Sequence, residues 1–193
     1  MSIVFYFDYI SPYAYLASTQ LPALAARHAR EIRAVPVLFA AMLDASGARG
    51  PAEIPMKREY MFRDVNRLAK MLGARIEPPA THPFNPLAAL RMSHAANDWR
   101  LVEALYRATW CEARRVDRPE VVIAVANEIG LDGEALFEQS QGAEIKARLR
   151  SATPYAAGLV PPRPRRDRLA YLPRLASMAF SSAWDALTTA ASP

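Results

Sequence analysis

A chain of 193 residues, 52% of them hydrophobic, is long enough for one domain with a real core, and that apolar content excludes disorder throughout. Its formal net charge of +5 is uneven: five of the 24 basic and two of the 19 acidic residues fall in 151–193, so the body is nearly balanced and suits an enzyme acting on small anions. No apolar run approaches the length of a membrane span, and a single cysteine, Cys111, excludes an intramolecular disulfide and a cysteine-based metal cluster.

The chain opens on Ile3-Val4-Phe5-Tyr6-Phe7, a β-branched and aromatic run of strand length. Asp8 interrupts this run early and no basic leader precedes it, so a secretory signal is not expected and a cytoplasmic protein is. Asp8-Tyr9-Ile10-Ser11 then forms a short loop, and Pro12 to Arg30 reads as a helix with Leu16, Leu21, Leu24 and Ala25 on its apolar side and a bend at Pro22. Ser11 at the N-cap and Pro12 at the first helical position are favoured for separate reasons. The serine oxygen accepts from an orphan N–H, and proline has no N–H to orphan. Two roles fit Ser11. It is a plain helix cap, or its hydroxyl also donates to an anion drawn to the positive end of the helix.

Ile32 to Phe39 reads as a second strand, which completes a βαβ unit with parallel strands and a right-handed crossover. Ser11 then lies at the carboxyl end of the first strand, where open α/β sheets bind ligands. Ala40 to Pro55 is a connection rich in small residues. Beyond it the pattern is helical: Met56–Leu72 ended by Gly73, a proline-rich crossing from Ala74 to Pro86, then Leu87–Ala96, Trp99–Arg114, Pro119–Ile129 capped by Asp117, Gly133–Ser140 and Ala143–Ser151. Tyr106 and Trp110 share one helical face, which serves either core packing or the wall of an aromatic pocket. Cys111, within a helical pattern, reads as a buried or half-buried thiol. His28, His82 and His94 lack ligand spacing, so no metal site is expected. Six of the sixteen prolines fall in the last 43 residues, where Ala156–Val160 is only faintly strand-like and Phe180–Ala191 reads as a final helix. The Arg163–Arg168 cluster has no interleaved aromatics and reads as a solvated tail, so neither a nucleic-acid nor a membrane partner is expected.

The opening FYFDYISPYAYLA, followed by PMKREYMFRDVNRLAKMLG, HPFNPLAALR and ALYRATWCEARRVDRPEVVIAVANEIGLD, resembles the 2-hydroxychromene-2-carboxylate isomerases, relatives of the kappa-class glutathione transferases and of the disulfide oxidoreductases called DsbA. The resemblance covers about residues 3–150. It implies an α/β, thioredoxin-like fold with an inserted all-helical domain: residues 1–40 as the first half of the thioredoxin-like domain, 41–150 as the insertion, and 151–193 where the second half belongs. It implies glutathione as cofactor, a small aromatic keto acid as substrate, and a homodimer. Ser11 would face the glutathione sulfur as the catalytic group. Lys57 and Asp64, seven residues apart and so on one helical face, would hold the glutathione carboxylate and ammonium; the alternative is an ordinary charged pair on a solvated face. Asn85 would meet the substrate, or else simply form a turn before Pro86. The disulfide-exchanging relatives carry Cys-x-x-Cys where this chain has Ser11-Pro12-Tyr13-Ala14, which leaves no thiol for exchange.

The implied activity is the glutathione-dependent interconversion of 2-hydroxychromene-2-carboxylate and trans-o-hydroxybenzylidenepyruvate, with a kappa-like glutathione transferase as the alternative. Two departures stand out. Ala48 stands about where the family places an asparagine. Gly158-Leu159-Val160-Pro161 and Asp167-Arg168-Leu169 only echo the strand and the segment that should follow the insertion. A frameshifted or truncated reading frame past about residue 152, with the C-terminal half of the sheet atypical or degraded and catalysis impaired, is the third expectation.

Overall fold

Alternation decides the first element of the computed structural model, which describes residues 2–159. In β1 (Ser2–Phe7), Phe5 and Phe7 are buried while Ser2 and Val4 face outward. Helix α1 (Pro12–Arg27) crosses to β2 (Glu31–Pro36), which pairs with β1 in parallel from Ser2 opposite Glu31 to Phe7 opposite Pro36. The helix stops before the expected Arg30 because Ala29 takes a positive φ of 48° that breaks the ladder. The expected connection 40–55 instead holds α2 (Phe39–Ala45) and a 3₁₀ turn, Pro51–Glu53. Helix α2 has no side-chain cap next to it in sequence. The N–H of Phe39 is taken by Asp8, a partner 31 residues away, which local pattern does not reveal.

The remaining elements are α3 (Pro55–Leu72), α4 (Leu87–Ala96), α5 (Trp99–Trp110), α6 (Pro119–Glu128), α7 (Gly133–Ser140) and α8 (Ala143–Leu159). Gly73 ends α3 in the left-handed region, as its position predicts. Helix α5 stops four residues short of Arg114, and Ala113 has a φ of 51°. The cap of α6 is Arg118 and not Asp117, whose carboxylate is turned to Arg115. Ala156–Leu159 is not strand-like: it continues α8, where Thr153 accepts from the Leu38 N–H and buried Ala156 packs inward. The expected domain limits at 40 and 150 therefore pass through α2 and α8. Val160 and Pro161, the Asp167-Arg168-Leu169 echo, the Arg163–Arg168 cluster and the Phe180–Ala191 helix lie outside the described residues. No described helix is long and apolar enough to cross a membrane.

One aromatic cluster joins the sheet to the helices. Phe5 stacks on Phe7 at 5.4 Å and meets Trp99 edge-on, Phe7 contacts Tyr9 and Tyr106, and Tyr15 of α1 stacks on Trp110. Such pairs add to the free energy of burying so much ring surface. Helix α1 thus packs between the strands and the faces of α3 and α5.

Close approach constrains Gly133, the first residue of α7. A Cβ there would sit 2.5 Å from the Ile123 carbonyl oxygen of α6. Gly133→Ala should destabilise the chain by about 1–3 kcal/mol in urea unfolding, whereas alanine at Gly158, where a Cβ meets open space, should not.

Candidate active site at the start of helix α1

The loop Asp8–Ser11 leaves β1 at its carboxyl end and turns into α1. Ser11 is half-buried, with φ −92° and ψ 112°, and its Oγ accepts from the Ala14 N–H at 3.2 Å. The capping role is therefore real. No described hydrogen bond uses the Ser11 hydroxyl proton, so the second role stays open to the same atom. The donors of the first turn can be counted. The Ser11 N–H goes to the Asp8 carbonyl, Ala14 to Ser11 Oγ and Tyr15 to the Ser11 carbonyl, while Pro12 has none. The Tyr13 N–H is left without a partner among the described residues. An O–H and an N–H at the positive end of a 16-residue helix make a place for a small anion.

The loop is held from outside. Tyr106 donates its hydroxyl to the Asp8 carbonyl at 3.2 Å, Trp110 donates Nε1–H to the Tyr9 carbonyl at 2.9 Å, and His82 bonds through Nε2 to the Ile10 carbonyl at 2.8 Å. Three successive carbonyls are thus satisfied by three side chains of the helical segment. The Asp8 carboxylate completes the frame, accepting from the Ile10 N–H at 3.1 Å and the Phe39 N–H at 2.9 Å. Burial pushes the Asp8 carboxyl up to about 6, against the pull of those two donors. Burial also raises the Tyr9 and Tyr106 phenols, and Tyr9 shares a 2.7 Å hydrogen bond with Ser93. Burial lowers His82, with the Ile10 contact opposing, which favours the neutral imidazole.

The other predicted residues fare differently. Lys57 is exposed and makes no ion pair among the described residues. Asp64 is brought to the first turn of α1, but its carboxylate is occupied. Oδ2 accepts from the Tyr13 hydroxyl at 3.0 Å and Oδ1 from Arg67 at 2.5 Å. Burial and the bond to Asp64 both raise the Tyr13 phenol. Asn85 is exposed and its Oδ1 accepts from the Leu87 N–H at 3.1 Å, which makes it the turn-former at the start of α4. Tyr106 and Trp110 are fully buried core residues, not pocket walls; only their polar ends reach the loop. Cys111 is half-buried, with Sγ 3.0 Å from the Tyr15 hydroxyl. Among the described residues no three His, Cys, Asp or Glu side chains gather as a metal site would require.

Two residues of the site escaped sequence reasoning. Asp8 had a signal, a charge at the end of an apolar strand, which calls for buried partners. His82 had none beyond its place in the HPFNP loop, because a partner 72 residues away leaves no local trace.

The sequence profile of the family described as DSBA-like thioredoxin domain matches residues 2–159. A 2-hydroxychromene-2-carboxylate isomerase of Sphingobium xenophagum is 32% identical over 168 residues, covering 76% of this chain and 80% of its own length. Glutathione S-transferase kappa 1 of Caenorhabditis elegans is 26% identical over 152 residues, 72% of this chain and 67% of its own. A solved structure of 2-hydroxychromene-2-carboxylate isomerase superposes with a TM-score of 0.74 at 24% identity, over 82% of this chain and 80% of that one.

The raised Asp8 carboxyl has a signed consequence. Its ordinary value is 3.8 and its folded value about 6, so between these the folded state holds a proton that the unfolded state has lost. Stability from this group is full below about pH 4 and is lost as pH rises through about 6, a swing of about 3 kcal/mol. Urea unfolding across pH 4–7 should show that slope in the wild type and lack it in Asp8→Asn.

Proposed function

We propose that this chain, which belongs to the family of DSBA-like thioredoxin domains and counts a 2-hydroxychromene-2-carboxylate isomerase among its relatives, is a glutathione-dependent isomerase that interconverts 2-hydroxychromene-2-carboxylate and trans-o-hydroxybenzylidenepyruvate or acts on a related aromatic keto acid. Its fold is accordingly thioredoxin-like with a helical insertion. The observation that carries the reading is the Ser11 hydroxyl, whose proton, like the neighbouring Tyr13 N–H, has no partner among the described residues.

Those two donors and the helix dipole favour a thiolate over a thiol. Lys57, exposed and without an ion pair among the described residues, suits a carboxylate as a point charge. Asp64 would receive the glutamyl ammonium only by sharing a carboxylate already bonded to Tyr13 and Arg67. The chain's own residues thus fit the thiol and one carboxylate of glutathione better than its amino end. When bound, glutathione would supply a sulfur that attaches reversibly to the conjugated substrate, so that the former double bond can rotate. Ser11 holds the sulfur's charge before and after, by donating its O–H. Asn85 still has its amide N–H₂ to offer the substrate, since among the described residues only its oxygen is engaged. Substrate and product are isomers, so the reaction calls for no redox cofactor. The resemblance further implies a homodimer, which sedimentation checks.

The relation to the kappa transferase favours a second reading, in which the same activated thiol conjugates an electrophile. Glutathione consumed in step with turnover supports the transferase, and glutathione required but conserved supports the isomerase. In either case Ser11→Ala should cut turnover by about a hundredfold and lower stability by only about 1 kcal/mol through loss of the cap. Lys57→Ala should raise KM for glutathione and spare kcat. Equal turnover in Ser11→Ala, or no heat on titrating wild-type protein with glutathione, removes the proposal.

A further inference from the structure

The peptide that joins Ile10 to Ser11 is planar, so its carbonyl oxygen and its N–H turn together. The oxygen bonds to His82 Nε2 at 2.8 Å and the N–H donates to the Asp8 carbonyl at 3.1 Å. The preceding peptide is pinned in the same way, its oxygen by Trp110 and its N–H by the Asp8 carboxylate. Rotating either plane breaks two hydrogen bonds. The φ of Ser11 is the rotation between the Ile10–Ser11 plane and the Ser11 Cα, so the group that pins this plane also aims the hydroxyl.

We infer that His82 is a positioning residue for the Ser11 site, acting through the Ile10 carbonyl as a neutral imidazole protonated on Nε2. The functional half of this inference rests on the reading of Ser11 given above. Of the three side chains that hold the loop, His82 alone has a choice of protonation. Its environment removes that choice. His82 is 6% exposed, packed edge-on against Phe62, Phe84 and Trp110, and its Nδ1 is buried with no partner among the described residues. A proton on Nδ1 would bury an unpaired donor, and moving the proton from Nε2 to Nδ1 would set a lone pair against the Ile10 oxygen. The positive charge of Arg58, which lies over the neighbouring Phe62 ring, disfavours the cation further. The proline-rich crossing 74–86 thereby gains a task. It presents His82 to the Ser11 peptide and carries Asn85 three residues beyond, which ties the thiol side of the site to the side assigned to the substrate.

The test uses the full chain, reduced glutathione, and two variants. His82→Phe keeps a ring and removes the donor; His82→Gln keeps a donor of similar reach. Ultraviolet titration of the bound thiolate should show about tenfold less thiolate at neutral pH in His82→Phe, with kcat reduced to match. Affinity for S-methylglutathione, which has no thiol proton, should stay unchanged, and His82→Gln should recover most of the thiolate. A bound thiol that ionises alike in His82→Phe and wild type overturns the inference. Should wild-type protein bind no glutathione, the reading of Ser11 fails by itself, and His82 is then judged by amide exchange: Ile10 and Ser11 about tenfold faster in His82→Phe and near wild type in His82→Gln, with unchanged exchange counting against it. Should His82→Phe not fold, nitrogen NMR of the wild-type imidazole decides. The Nε2–H tautomer at pH 7 supports the inference, and an Nδ1–H tautomer or an imidazolium overturns it.

Discussion

Three carbonyls in a row, those of Asp8, Tyr9 and Ile10, are held by side-chain donors that the helical segment supplies. A buried carbonyl left unpaired costs about 1–3 kcal/mol. Two such losses, at Tyr9 and Ile10, would take up a sizeable part of the roughly 5–15 kcal/mol by which an ordinary domain is stable. The donors are Tyr106, Trp110 and His82, two from α5 and one from the crossing before α4. Within the loop only the Asp8 carbonyl finds a donor, the Ser11 N–H, so the Tyr9 and Ile10 carbonyls depend on the helical segment. The helical segment is thus part of the site and not an appendage to it.

The same residues serve twice. Tyr106 and Trp110 fill the core between the sheet and α1 with their rings, and their polar ends hold the loop. This coupling of apolar body and polar tip is what large aromatic side chains provide. It means that core packing and the placement of Ser11 are one problem. A change that shifts α5 against β1 shifts the carbonyls of the loop with it. Asp8 extends the coupling to α2, whose first N–H it caps from the end of β1. A carboxylate buried for that purpose is held at a cost in desolvation, which its two backbone donors offset only in part.

Asp64 shows how packing can engage a carboxylate that sequence alone leaves free. The seven-residue spacing puts it on one helical face with Lys57, and packing of α3 on α1 delivers it to the turn after Ser11. There it meets Tyr13 and Arg67 and becomes a structural tie between the two helices. Lys57, at the exposed start of the same face, has no such tie. The face therefore divides into an anchored end and an open end.

Residues close in the chain determined what is local: the alternation that makes β1, the Ser11-Pro12 start of α1, the Gly73 stop of α3, and the limits of α4 and α7. The family resemblance was equally legible, because it lies in contiguous motifs. Tertiary structure alone decided the cap of α2, the extension of α8 through Pro154 and Ala156, the engagement of the Asp64 carboxylate, and the part played by His82. Each of these involves groups that meet only after folding, such as Asp8 and Phe39, 31 residues apart, Tyr13 and Asp64, 51 apart, and Leu38 and Thr153, 115 apart. Periodicity reports which face of an element is apolar. It carries no record of which distant hydroxyl, indole or imidazole will satisfy a given carbonyl, and at Ser11 that is what shapes the site.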